Sequence, residues 1–177
     1  TDTAAVGANG ISSYNIPDGW FNEGANTISV QAVDIAGNTS VASSDLTITL
    51  DTTIATPSQP DLTAATDTGS SSIDNITSHA NPRITGTADP NTTITIRLDP
   101  DGAATTIGTT TASAAGNWSY IFAAGTLSEG ANIIDVLSTD SAGNSLDSAN
   151  LTITLETAIS IPSSLDLPVA SDLGDSD

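Results

Sequence analysis

An internal repeat constrains this sequence more than any other feature. Ser13-Tyr14 returns as Ser119-Tyr120, Glu23-Gly24-Ala25-Asn26 as Glu129-Gly130-Ala131-Asn132, and Ala36-Gly37-Asn38 as Ala142-Gly143-Asn144, each 106 residues later. Leu46-Thr47-Ile48-Thr49-Leu50 returns as Leu151-Thr152-Ile153-Thr154-Leu155 after 105, so one residue is lost in the intervening loop. Asp61-Leu62, Asp67 and Gly69 match Asp166-Leu167, Asp172 and Gly174 at the same 105. Such a period is too long for one turn of a solenoid and suits a self-contained domain. Residues 1–50 read as the later strands of one module, 51–155 as a complete module, and 156–177 as the opening of a third, strung like beads. The start in mid-pattern, without methionine, reads as a segment of a longer polypeptide.

The elements within a module are strands. Thr93 to Leu98, Ile133 to Leu137 and Leu151 to Leu155 are β-branched, several alternate apolar with polar, and no stretch sustains a helical period. The complete module is expected to hold about seven strands, near 58–64, 82–88, 92–99, 103–112, 117–123, 130–138 and 149–155. Asp99-Pro100-Asp101-Gly102 between two of them has hairpin chemistry. Trp118 is expected to plug the core, with Tyr120 capping its edge. Seven short strands in about 100 residues give an all-β fold of immunoglobulin-like sandwiches.

Charge narrows the partners. The chain carries 21 acidic residues against two arginines, Arg83 and Arg97, with no lysine, for a formal charge of −19. Such a surface repels nucleic-acid phosphates and anionic headgroups, so nucleic acid and direct membrane insertion are set aside. The same charge opposes compaction unless divalent cations bridge it. With no cysteine or methionine, disulfides, thiol nucleophiles and cysteine metal sites are excluded. The longest apolar runs are a few residues, too short to span a bilayer as a helix, and the segment reads as soluble.

The acids recur at corresponding places. One group is Asp34 with Asn38, then Asp51 after the last strand of the first module, then Asp67 and Asp74. The second is Asp140 with Asn144, Glu156 at the linker, and Asp172, Asp175 and Asp177 in the third module's opening. If the turn between the last two strands and the linker share one end of a module, facing the next module's early loop, several carboxylates converge there. A hard cation taking 6–8 oxygen ligands would neutralise them, and Ca2+ fits better than magnesium or zinc. A second reading stays open for Asp34 and Asp140: Asp-x-Ala-Gly-Asn is also a turn in which the aspartate accepts backbone N–H bonds. Asp51 and Glu156 also read as polar linker residues, and the Gly69 segment as a solvated loop. Asp99 and Asp101 read as turn residues.

The ordered set Asp51-Thr52-Thr53, Asp67-Thr68-Gly69-Ser70 with Asp74-Asn75-Ile76-Thr77, Ile84-Thr85-Gly86-Thr87-Ala88, Gly116-Asn117-Trp118-Ser119, Glu129-Gly130 and Asp140-Ser141-Ala142-Gly143-Asn144 resembles the bacterial immunoglobulin-like repeats of giant type I-secreted, RTX-type and biofilm-associated adhesins. The resemblance implies calcium-stiffened extender modules on the bacterial cell surface, outside the cell, whose partners are neighbouring modules of the same chain. Departures exist: Ser12 stands where the second module has Trp118, with Trp20 as a nearby substitute, and Glu156 replaces Asp51.

No enzyme is expected. The one histidine, His79, lies in a loop, no nucleophile and base are paired, and aromatic platforms for a glycan cleft are scarce. The Asn-x-Ser/Thr triplets at Asn38, Asn75, Asn91, Asn117 and Asn150 are what so Asn-, Ser- and Thr-rich a chain yields by chance. The expected function is a structural extender supporting adhesion or biofilm formation, braced by calcium. The alternative is a module of an extracellular filament or sheath, assembling by lateral self-association through strand edges without lysine gatekeepers.

Overall fold

The computed structural model describes residues 3–7, 9–98 and 104–159. Among them there is no helix, and so none long and apolar enough to cross a membrane. Contacts divide the chain into two compact units, Thr1–Thr53 and Ile54–Asp177.

In the first unit β1 (Gly24–Ile28) and β2 (Leu46–Leu50) form an antiparallel ribbon with Gly24 opposite Leu50 and Ile28 opposite Leu46. The ribbon runs on beyond β1. Ser43 donates its N–H to Val30 O and accepts the Val30 N–H on its hydroxyl, and Val33 bridges Thr39. Trp20 lies against Tyr14, with ring centroids 6.2 Å apart.

The second unit is a two-sheet sandwich. One sheet orders β4 (Ile76–Thr77), β11 (Leu151–Leu155), β9 (Gly130–Thr139), β6 (Thr93–Leu98) and β7 (Thr105–Thr111), with β10 (Ser145–Asp147) also paired to β9. The other orders β3 (Asp61–Leu62), β5 (Arg83–Thr87) and β8 (Asn117–Ile121). Period-two alternation points Ile94 and Ile96, Ile134 and Val136, and Leu151, Ile153 and Leu155 inward from the first sheet. They meet Leu62, Ile84, Trp118 and Phe122, each buried. Burying one such aliphatic side chain stabilises by about 1.5–3 kcal/mol, which is how a module with so few aromatics still folds. Gly86 lies opposite Trp118, and a Cβ there would sit 2.4 Å from Trp118 Cζ2, so the indole requires glycine beneath it. Tyr120 is half-buried and meets Phe122 edge-on at 5.4 Å.

Five of the expected strands match β5, β6, β7, β8 and β9 within a few residues, and the last matches β11. The expected strand at 58–64 shrinks to Asp61–Leu62, although Ser58 and Thr63 still bond to Thr87 and Arg83. Two strands had no counterpart in the sequence reading. β4 is two residues long and parallel to β11, and β10 is fully exposed and shows no alternation. The Asp99 to Gly102 hairpin lies outside the described residues. The repeat is visible in the pairing: Gly130 opposes Leu155 and Ile134 opposes Leu151, the register of the first ribbon. Burial differs, because among the described residues no second sheet covers β1 and β2. Val30 is 67% exposed where Val136 is 0%, and Leu46 is 59% exposed where Leu151 is 4%.

Candidate metal centre

Antiparallel pairing fixes where each acid lies. Along β9, Gly130 opposes Leu155 at one end and Thr139 opposes Ser145 at the other, about 30 Å away for ten residues at ~3.3 Å each. Glu156 therefore leaves the module at the Gly130 end, while the Asp140 to Asn144 turn closes the opposite end. The first ribbon repeats this: Asp51 follows Leu50 at the Gly24 end, and the Asp34 to Asn38 turn lies beyond Ile28. The premise that turn and linker share an end is thereby corrected. A strand that turns back and pairs antiparallel must end where its partner began.

Asp67 and Asp74 change company as well. β4 runs parallel to the end of β11, Thr154 donates its N–H to Asn75 O at 2.9 Å, and Glu156 donates to Thr77 O at 2.8 Å. The 67–77 loop thus flanks the exit of its own module, beside Glu156.

The two turn aspartates are engaged locally. Asp34 Oδ1 accepts the N–H groups of Ala36 and Asn38 at 2.9 and 2.8 Å, and Oδ2 accepts the Asn38 amide at 2.8 Å. Asp140 Oδ1 accepts from Ala142, Gly143 and Asn144, and Oδ2 from the Asn144 amide at 2.9 Å. Gly37 and Gly143 take the positive φ these turns need. In both, the asparagine side chain's bond, with backbone N–H groups adding to it, holds the carboxyl below the ordinary aspartate range. Such geometry is what the turn reading requires.

The loop is different. Gly69 donates to Ile76 O at 3.1 Å, closing the loop, and Asp74 Oδ1 accepts the Ile76 N–H at 3.2 Å. The Asp74 carboxylate fills the space over Gly69, where a Cβ would come within 3.1 Å of it. Asp67 is 5% exposed, and its Oδ2 accepts the Asn75 N–H at 3.2 Å. Its Oδ1 is buried without a hydrogen-bond partner, and so is Asn75 Oδ1. Asn75 is held at φ 60°, a left-handed conformation that asparagine tolerates. Asp51 is exposed, with Oδ1 3.4 Å from the Thr53 N–H, and Glu156 is exposed. Asp172, Asp175 and Asp177 lie outside the described residues. Among the described residues, no three carboxylate or imidazole side chains converge closely enough to form a metal cage by themselves.

Sequence reasoning passed over Glu23 and Glu129. Glu23 accepts the Thr52 N–H at 2.9 Å and the Thr52 hydroxyl at 2.8 Å, and Glu129 accepts the same two groups from Thr157. The Thr52 bonds hold the Glu23 carboxyl below its ordinary range. Their signal was the repeated Glu-Gly-Ala-Asn, in which Asn26 and Asn132 staple the turn through their amides.

A six-stranded and a three-stranded sheet sharing one apolar core make the second unit an immunoglobulin-like module. The profile of the bacterial Ig-like domain matches residues 53–157, and the chain belongs to that family. No curated protein matches the chain. Among solved structures it is similar to a tetra-tandem repeat in the extending region of a large adhesion protein, at 26% identity and TM-score 0.45, covering 88% of this chain and 38% of that one. A bacterial immunoglobulin-like domain from the M. primoryensis ice-binding adhesin matches at 28% identity and TM-score 0.36, covering 58% of this chain and 100% of that one. A structure bearing on host cell surface retention of a 1.5-MDa bacterial ice-binding adhesin matches at 28% identity and TM-score 0.34, covering 75% of this chain and 43% of that one.

Proposed function

We propose that the chain is a non-enzymatic extender segment of a bacterial cell-surface adhesin, supporting adhesion or biofilm formation outside the cell. Each module in this reading binds Ca2+ at its exit end, and the ion stiffens the passage to the next module. The observation that carries the metal reading is Asp67. A carboxylate oxygen buried without a partner is costly, and it lies in the same loop as a second buried oxygen, Asn75 Oδ1, that also lacks one. Two orphaned acceptors in one loop suit a hard cation, which accepts carboxylate and amide oxygens alike. The chain has no lysine to neutralise Asp67, Arg97 is committed to Asp135 and Asp147, and among the described residues Arg83 forms no ion pair with Asp67.

Asp67 and Asn75 would hold the ion, with Glu156 and water as the further oxygen donors at that end, while Asp74 accepts the Ile76 N–H. Asp51, after the last strand of the first unit, would take the place of Glu156 there. Asp34, Asn38, Asp140 and Asn144 have a turn to hold. Extracellular modules bind calcium at about 10⁻⁴–10⁻³ M, so millimolar calcium outside a cell would fill the site and cytosolic calcium would not.

Small-angle scattering and thermal melting of the chain in 10 mM calcium and in excess chelator test this, with Asp67→Ala alongside. At that concentration a site of this affinity adds about 1.4–2.7 kcal/mol. The expected results are a higher melting temperature in calcium, lost in Asp67→Ala, and a sharper maximum dimension of the unaltered chain in calcium. Superimposable profiles and melts in the two buffers would overturn the calcium reading. The filament reading has one observation in its favour: β7 is an end of its sheet order, leaving an outer edge that another chain could pair with. A sedimentation mass that rises with concentration would support it.

A further inference from the structure

We infer that the linker between the two units is pinned by a carboxylate on each side, Glu23 before it and Asp89 after it, so that the hinge is reduced to Ile54. Within the first unit, Thr52 is the residue after Asp51, and both its N–H and its hydroxyl are taken by Glu23, at 2.9 and 2.8 Å. Within the second unit, the Ala55 N–H is taken by Asp89 Oδ2 at 2.7 Å. Ser58 then docks fully: its N–H bonds Thr87 O and its hydroxyl accepts the Thr87 N–H, each at 2.9 Å. Between the Thr52 and Ala55 anchors lie only residues 53 and 54, and Thr53 donates its N–H to Asp51 Oδ1 at 3.4 Å.

The same latch occurs twice. Glu129 accepts the N–H and hydroxyl of Thr157, the residue after Glu156. In both units the glutamate precedes a glycine at φ near 90° (92° and 88°), and an asparagine two residues beyond that glycine ties the turn down. The tight turn aims the carboxylate along the ribbon at the chain leaving it. A threonine suits the receiving position because it supplies two donors one residue after the strand, matching the two oxygens of one carboxylate. Charge-assisted bonds of this kind are shorter and stronger than neutral ones. Glu23 and Asp89 are thus positioning residues: they direct the chain as it leaves one unit and joins the next. The latch uses no ion and stands apart from the calcium reading.

Amide exchange by NMR on the whole chain in excess chelator tests it. The Thr52 and Ala55 amides should exchange at least about 10-fold more slowly than that of Ile54, a charge-assisted bond shifting a local opening equilibrium by that much or more. In Glu23→Ala/Asp89→Ala both should rise to the hinge rate, and the scattering-derived distance distribution should broaden in chelator. Core amides of β9 and β11 should keep their protection, which separates loss of the latch from loss of the fold. Glu23→Gln, which retains an oxygen acceptor, should recover part of the Thr52 protection. Unprotected Thr52 and Ala55 amides in the unaltered chain, or a double variant with unchanged exchange and scattering, would overturn the inference. Because every arm is run without calcium, a failed calcium reading leaves its outcome unaffected.

Discussion

Replacing Arg97 by methionine should be among the most damaging single changes in the second unit. On β6, Arg97 Nε donates to Asp135 Oδ1 at 3.0 Å, and Nη2 donates to Asp135 Oδ2 and, at 2.6 Å, to Asp147 Oδ1. Asp135 holds the guanidinium above its ordinary pKa, chiefly through that hydrogen bond. The side chains of Arg97 and Asp135 are 20% and 11% exposed, whereas Asp147 is 59% exposed. Losing the Asp147 contact therefore costs little, about 0.5 kcal/mol. Asp135 is the main loss, since removing the partner of a buried charge costs about 3–5 kcal/mol, and its residual exposure places it near the lower figure. A total near 3 kcal/mol corresponds to a fall of about 12–15 °C for a unit of this size. Circular dichroism melts at pH 7 should show that fall, and Arg97→Met/Asp135→Leu should recover most of it, because no buried charge is left unpaired and Asp147 is exposed. A single variant melting within about 2 °C of the unaltered chain, or a double variant as unstable as the single, would refute the reasoning.

Gly86→Ala forces a methyl group to within 2.4 Å of Trp118 Cζ2 and 2.9 Å of Ser58 Oγ, so the indole must move. A loss of about 1–3 kcal/mol in the urea midpoint with altered tryptophan emission is expected, and unchanged emission and midpoint would show that the strands part freely. The turn carboxyls give a pH prediction. Asp34 and Asp140 have lowered pKa values in the fold, so the stabilisation from their ionised forms is complete at neutral pH and lost as pH falls through those lowered values, below about 4. Carbon-detected titration should place both carboxyls beneath the ordinary aspartate value. Asp140→Asn should be less stable at pH 7 and respond more weakly to acid. An ordinary titration at either residue contradicts the turn geometry.

The repeat made the architecture legible because pairing register copies sequence offset: Gly24 with Leu50 and Gly130 with Leu155 are one contact in two places. Trp118 and the alternating isoleucines announced the core for the same reason, since their spacing is the pleat itself. β4 and β10 escaped because strands of two and three residues carry no period, and a neighbour's free hydrogen-bonding edge defines them. The acids Asp34, Asp51, Asp140 and Glu156 could be found by position, but grouping them required knowing that a hairpin's turn and its exit lie at opposite ends. Burial of Asp67 was out of reach, for it stands in a run of serine, threonine and glycine that reads as solvated. In the fold its carboxylate accepts the Asn75 N–H across the loop and lies out of water.

The ion pair on β6 has a meaning beyond strength. β2 and β11 carry the same five residues in the same pairing register, so that strand does not tell a module's own ribbon from its neighbour's. Asp135 can. Its counterpart 106 residues earlier is Ser29, and the counterparts of Asp147 at offsets of 106 and 105 are Val41 and Ala42, none of them an anion. Arg97 therefore acts as an address label: seated against β9 it is neutralised twice, and against β1 it would be stranded. Discrimination of this kind rests on penalising the wrong partner rather than rewarding the right one. The Arg97→Met/Asp135→Leu chain, folded but without its label, is where mixed pairing of ribbons should emerge on refolding, as a larger dimer fraction than the unaltered chain gives under the same conditions.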